Sequence, residues 1–225
     1  MLVLAIDTTA VTATAALVDE NGIIANFNVN NKLTHSEKLL PMIDAVLTQS
    51  GYMINDVELF CVSSGPGSFT GVRIGIAAIK GLAFAKDTPC VAVSALEAMA
   101  FANKNCNAVI CPVMDARRNE YYNALFGTDM TRLCDDRAVS ADQLENELKK
   151  YGDVILCGDG AVKFYNWLDN RLPKVRIANP TALLQNAASV GVCGYEKYKK
   201  GESISSFELL PVYLRKPQAE REYKG

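Results

Sequence analysis

Ser63-Ser64-Gly65-Pro66-Gly67-Ser68-Phe69-Thr70-Gly71 joins an apolar run, Leu59 to Val62, to a small-residue helical pattern, Val72 to Ala85. Strand, glycine-rich turn, helix is the order this stretch dictates. Such a turn leaves backbone N–H groups free at the positive end of the helix dipole, where phosphate or carboxylate can bind. The same glycines also serve a plain packing purpose, since they adopt positive φ and let the helix approach its neighbours closely. Both readings stand at this level.

Outward from the turn, the order of elements repeats. Leu2 to Ile6 reads as a buried strand ending at Asp7-Thr8-Thr9. Thr12 to Val18 alternates toward Asn21-Gly22, a strong hairpin signal, and Ile23 to Val29 completes an antiparallel meander. A helix is expected from Thr34, whose spacing to Glu37 is that of a capping box, with Leu39, Ile43, Val46 and Leu47 on one face. Pro41 inside it predicts a kink or a later start, and Gly51 closes it. Glu58 to Ser63 leads into the glycine turn, and Cys90 to Val93 precedes a helix opened by Ser94 with Glu97. The unit βββαβαβα is complete by Asn103.

Past Asn103 the pattern starts again. Ala108 to Met114 is a strand ending in Asp115, and Glu120 to Phe126 is its hairpin partner. Ala141 to Lys150 is a polar-faced helix, and Val154 to Cys157 is a strand running into Gly158-Asp159-Gly160. An aromatic helix with Phe164, Tyr165, Trp167 and Leu168 follows, then strand Val175 to Ala178. Thr181 to Lys200 reads as one long helix and Leu209 to Ala219 as an extended tail. Two related α/β domains, 1–103 and 104–225, are expected from element order alone.

Composition narrows the function. Of 225 residues, 49% are apolar and the net charge is −2, so a large core is available but no basic face for nucleic acid. The seven cysteines form no C-x-x-C pair and mostly lie in apolar runs, as reduced core residues of a cytoplasmic protein do. No signal peptide is legible and no stretch approaches the ~20 apolar residues of a membrane span. His35 is the single histidine, which excludes paired-histidine metal motifs. Ser36 beside it does not face it on a helix, so a hydrolytic pair is poorly built.

Asp7 and Asp115 end equivalent strands, with glycine turns nearby. Sites of this fold class lie outside the carboxyl ends of strands, where such acids hold a nucleotide and its metal. The alternative for Asp7 is a turn cap bonded to its own backbone. Arg117 and Arg118 fit a solvated hairpin end.

Ile6-Asp7-Thr8-Thr9, His35 to Pro41, Ser64 to Gly75, Asp115-Ala116-Arg117, and the tail pieces Tyr213-Leu214-Arg215 and Ala219-Glu220 together resemble the TsaB (bacterial YeaZ) family. The resemblance implies two related actin/Hsp70-type ATPase-like (RNase H-like) domains, each a mixed sheet with flanking helices. It implies a non-catalytic subunit needed for threonylcarbamoyl transfer to adenosine 37 of tRNA, acting on a TsaD-type catalytic sister. TsaD carries a metal-binding His-x-x-x-His where this chain has Ala95 and Met99, neither of them a usable ligand for a hard or borderline metal. No cofactor or metal is therefore expected in this chain. ATP use belongs to the complex, which a TsaE-type ATPase joins, and the metal to the partner; tRNA is met only through the complex.

A vestigial nucleotide or phosphate cleft would comprise Asp7, Thr8, Thr9, Gly65, Gly67, Ser68, Thr70, Asp115, Gly158 and Gly160. The partner interface would use the helices around Leu39 to Leu47 and Arg73 to Phe84, with His35, Leu39, Met42, Ile43, Gly71, Arg73, Gly75, Ala78 and Lys80. A patch suited to a homologous partner is often self-complementary, so a homodimer is expected of the isolated chain. The competing classes are a nucleotide-binding enzyme with weak ATPase activity and, least favoured, a peptidase.

Overall fold

The computed structural model describes residues 1–31 and 34–215. Two five-stranded mixed sheets carry the architecture. The first has the order β3-β2-β1-β4-β5, from β1 (Val3–Asp7), β2 (Ala13–Asp19), β3 (Gly22–Val29), β4 (Leu59–Gly65) and β5 (Cys90–Ser94). The second, read from its other edge, is β8-β7-β6-β9-β10, from β6 (Val109–Asp115), β7 (Glu120–Phe126), β8 (Arg132–Ser140), β9 (Val154–Cys157) and β10 (Val175–Ile177). In both, the first three strands run antiparallel and the last two add in parallel beside the first. The repeat seen as an order of elements is thus a repeat of topology.

The central strands are apolar throughout because both faces are covered. On β1, Leu4 and Ile6 point into one core with α1 (His35–Gln49) and α2 (Phe69–Phe84), where Met42, Ile43, Val72 and Ile79 meet them. Val3 and Ala5 point the other way, against α6 (Ala187–Lys199). The second sheet is covered likewise. Its outer face meets α4 (Ala141–Leu148) and α5 (Ala161–Leu168), and its inner face meets α3 (Ala95–Ala102).

The third helices are exchanged. α3 packs on the second sheet while keeping Ala98 in the first sheet's core, and α6 leaves the second and packs on the first. A division of the chain near Asn103 therefore separates the sheets but not the layers that cover them. Gly191 and Gly194 make the close approach of α6 possible, since a Cβ at Gly194 would lie 2.4 Å from Cys61 Sγ.

Several sequence expectations need correction. α1 starts at His35 and continues through Pro41; Thr34 takes the N-cap position but its side chain caps nothing. A Schellman closure follows, with Gly51 N–H donating to Thr48 O and Tyr52 N–H to Leu47 O at 3.2 and 3.0 Å. α2 begins at Phe69, three residues before the apolar pattern. The single helix expected over Thr181 to Lys200 is a 3₁₀ turn, Pro180–Ala182, and then α6 from Ala187, because Asn186 Oδ1 accepts from Ala188 N–H at 2.9 Å and starts the helix there. β8 was not anticipated. It is a charge-rich edge strand paired with β7, tied outward by Arg137 to Glu147 of α4 and by Asp136, which accepts from Ser94 Oγ. Of the expected extended tail, residues 216–219 lie outside the described residues, as does Glu220 of the resemblance. Among the described residues no helix is long and apolar enough to cross a membrane.

Candidate functional site

The glycine turn after β4 meets the loop after β1, and the contact is backbone on backbone. Ser68 N–H donates to Thr9 O at 2.7 Å. A Cβ at Gly67 would stand 2.3 Å from that same carbonyl oxygen, and one at Gly71 would stand 2.0 Å from Thr8 O. Thr8 Oγ1 closes the contact by donating to Gly71 O at 2.7 Å. Gly75, one turn further along α2, leaves room for Thr8 Oγ1. The anion position offered by the turn is thus filled by the chain's own Thr9 carbonyl, and the packing reading of the glycines describes this geometry. Ser68 Oγ accepts from Gly71 N–H at 3.3 Å as the cap of α2, and Thr70 is exposed on its first turn.

Asp7 is 1% exposed. Its Oδ1 accepts from Thr9 N–H and Thr9 Oγ1 at 2.8 and 2.6 Å, and its Oδ2 accepts from Ser63 Oγ at 2.6 Å. Burial pushes its carboxyl above the ordinary range, against the lowering effect of those bonds. Asp115, its counterpart on the second sheet, is part-exposed and receives Lys163 Nζ at 3.0 Å and Arg117 N–H at 2.8 Å. Gly158 and Gly160 again fit a close approach, their Cβ positions falling 2.3 Å from Val113 O and 2.9 Å from Asp115 N. Asp159 between them is pushed up to about 6 by burial, with Gln185 Nε2–H as its opposing donor at 3.4 Å. Gln185 Oε1 is buried without a partner among the described residues. No group of three or more His, Cys, Asp or Glu able to hold a metal occurs among the described residues.

The largest feature that sequence reasoning left unplaced is the course of the tail. After Leu209, which is fully buried in the first core, the chain crosses from the first sheet to the second. Val212 N–H donates to Ser64 O at 2.8 Å, and Gly65 leaves space for Val212 O. Tyr213 stacks on Phe69 with centroids 4.3 Å apart and receives Arg73 Nε at 2.7 Å on its hydroxyl. Leu214 joins the core under the second sheet beside Ala10 and Ala116. Arg215 pairs with Glu120 and donates to Ala116 O at 2.9 Å. The sequence marked Leu209 to Ala219 as an extended tail, and nothing there said what it would cover.

The expected interface residues fall in two groups. Leu39, Met42, Ile43, Gly71 and Gly75 are buried within the chain, so they do not form the outward surface expected of them. They sit on the stripe that covers the sheet, as the apolar side of an amphipathic helix does. His35 is half-buried, with Nε2 2.6 Å from Ala10 O, and holds α1 to the loop after β1. Arg73 is exposed, while Ala78 and Lys80 are half-buried. Lys80 Nζ donates to Phe207 O at 3.1 Å. The outward side of these helices is instead Leu40, Pro41 and Asp44 on α1, and Arg73, Ala77, Gly81 and Phe84 on α2.

The family model described as TsaD, tRNA N6-adenosine threonylcarbamoyltransferase, matches residues 22–223. A Bacillus subtilis protein described as tRNA threonylcarbamoyladenosine biosynthesis protein TsaB is 31% identical over 99% of this chain and 98% of its own length. A Haemophilus influenzae protein of the same description is 31% identical over 96% and 94%. Among solved structures, YeaZ from Pseudomonas aeruginosa superposes with a TM-score of 0.76 at 23% identity, covering 95% of this chain and 99% of that one. The activator of the 2-hydroxyisocaproyl-CoA dehydratase from Clostridium difficile, with bound ADPNP, gives 0.58 at 7% identity over 89% and 97%. A ROK hexokinase from Thermus thermophilus gives 0.54 at 12% over 88% and 100%. The fold is the two-lobed actin/Hsp70-type α/β fold.

Proposed function

The chain belongs to the TsaB (YeaZ) family, and we propose that it is a non-catalytic subunit of tRNA threonylcarbamoyladenosine biosynthesis that binds and activates a TsaD-type catalytic sister. The family supports the biosynthetic role, and the match to the TsaD family model supports a partner of related fold. One observation carries the non-catalytic reading: the chain fills its own cleft. The Thr9 carbonyl lies in the glycine turn, both oxygens of Asp7 are taken by its neighbours, and the tail spans the two sheets. Ala95 and Met99, at the positions of the TsaD histidines, are core residues at 0% and 2% exposure. The peptidase reading is further weakened by His35, whose Nε2 is engaged by Ala10 O.

The docking face we assign is the outward side of α1 and α2. Leu40 and Phe84 are 56% and 65% exposed there, and Ala77 and Gly81 leave α2 smooth enough for close helix packing. The same face would join two copies when the partner is absent. ATP use and a TsaE-type ATPase belong to the assembled complex, a bound metal belongs to the partner, and tRNA is met through the complex in the cytoplasm.

Size exclusion with light scattering on a mixture with the cognate TsaD-type protein tests the pairing. A defined complex is expected, and it should be lost in Gly81→Trp, where a Cβ meets nothing within 4 Å and folding is spared. Failure of the wild-type pair to associate would refute the docking face and the subunit role together.

A further inference from the structure

We propose that residues 210–215 form a displaceable clasp, which a protein partner seated on α2 releases and which thereby links α2 to the mouth between the two sheets. The link to a partner rests on the docking face assigned above; the clasp itself does not. Leu209 is its anchor, fully buried in the first core. Beyond it a short, part-exposed run of chain joins the two lobes. Leu210, Val212 and Tyr213 are 65%, 48% and 37% exposed. On the first sheet the attachments include a backbone bond, Val212 N–H to Ser64 O, the Tyr213 ring stacked on Phe69, and the Arg73 bond to Tyr213 Oη. On the second they include Leu214, the Arg215 bond to Ala116 O, its pair with Glu120 and its place over the Tyr122 ring. Segments with few buried contacts and solvent-facing hydrogen bonds open locally, well below the cost of global unfolding.

The clasp and a partner on α2 compete for the Arg73 guanidinium. Arg73 Nε is held by Tyr213 Oη, whereas Lys80 Nζ is held by Phe207 O, ahead of the Leu209 anchor and outside the clasp. Arg73 belongs to α2, and its partner in the clasp is a neutral oxygen. Carboxylates on an arriving protein make stronger, charge-assisted bonds to a guanidinium or ammonium than a phenol or a carbonyl does. A partner that takes Arg73 leaves Tyr213 with its ring stack alone. Once Tyr213 lifts, Val212 and Leu214 follow as the next residues on either side, and Arg215 after Leu214. The Ser64 and Ala116 carbonyls and the Leu214 site are then uncovered at the mouth. Such a partner shifts the clasp only by its preference for the released state, and the contested Arg73 supplies that preference.

Amide hydrogen exchange on the full chain, resolved by NMR, tests this. In the isolated protein, at a concentration where light scattering shows a monomer, the Val212 amide should exchange at least 100-fold faster than Ile6 and Val62 in β1 and β4. The double variant Tyr213→Ala/Arg215→Ala should speed Val212 at least tenfold more while leaving Ile6 and Val62 unchanged. Equal exchange at Val212 and the core amides, or loss of core protection in the variant, would overturn the clasp. Adding saturating TsaD-type subunit should raise Val212 exchange at least tenfold, and slowing would overturn the release. If that subunit fails to bind at all, the docking face falls, while the isolated-chain result still decides the clasp.

Discussion

Replacing Gly71 by alanine tests whether the glycine string is a packing device. At a helical position the change alone should help, by at most about 1 kcal/mol of recovered propensity. The structure opposes it. The new Cβ would stand 2.0 Å from Thr8 O and 3.2 Å from its carbon, where ordinary contact begins at 3.4 Å. The loop after β1 would have to retreat by about 1.4 Å, well beyond what a close-packed interior absorbs without cost. That loop is tied down by Thr8 Oγ1 to Gly71 O and by Ser68 N–H to Thr9 O, both at 2.7 Å. Overpacking costs about 1–3 kcal/mol, and a lost hydrogen bond about 1 kcal/mol more. The net loss expected is about 1–3 kcal/mol, or about 2–12 °C in Tm for a chain of this size. Gly81 on the same helix is the control. Nothing lies within 4 Å of its Cβ, so Gly81→Ala should gain about 0.5–1 kcal/mol. Calorimetry or denaturant unfolding of both variants reads the contrast. A Gly71→Ala protein as stable as wild type would refute the packing account and return the turn to ligand binding.

Asp159→Asn should stabilise the chain at neutral pH by about 1–3 kcal/mol. Burial raises this carboxyl from 3.8 to about 6, so the folded state holds the proton more tightly and stability is lost as pH rises through that window. Denaturant midpoints across that range should show the advantage vanishing at the acid end; an advantage independent of pH would contradict it. Leu39→Ala should cost about 2–5 kcal/mol of stability, since Leu39 is a 1% exposed core residue rather than an interface one. A variant of full stability with impaired association would overturn that assignment. Thiol labelling of the native chain should reach Cys106 and Cys134, which are half-buried, well before the five buried cysteines. Cys106 should lead, because burial pushes the Cys134 thiol up. Uniform labelling of all seven in the native state would contradict the observed core.

The sequence disclosed most where periodicity is strong. Leu2 to Ile6, Glu120 to Phe126 and Val154 to Cys157 are apolar because sheet interiors demand it, and each emerged as a strand with nearly its expected bounds. β8 stayed hidden because an edge strand rich in Arg and Asp stores its pairing information in distant partners, Glu147 and Ser94. The same holds for the site. Asp7, Asp115 and both glycine turns were legible from their places at strand ends. Their occupants were not: Lys163 reaches Asp115 across 48 positions, and Val212 reaches Ser64 across a longer gap. The misplacement of Leu39, Met42 and Ile43 has a simple cause. An apolar helical stripe looks alike whether it faces a sheet or a partner, and only the packed structure says which side is outward.

Threonylcarbamoylation of tRNA measured with this chain, the cognate TsaD-type subunit and the TsaE-type ATPase, omitting each in turn, tests the central claim most directly. Subunit action predicts modification only when this chain and its sister are both present, with no ATP turnover by this chain alone. Modification that proceeds undiminished without this chain, or ATP turnover by the isolated chain that Asp7→Ala abolishes, would contradict it.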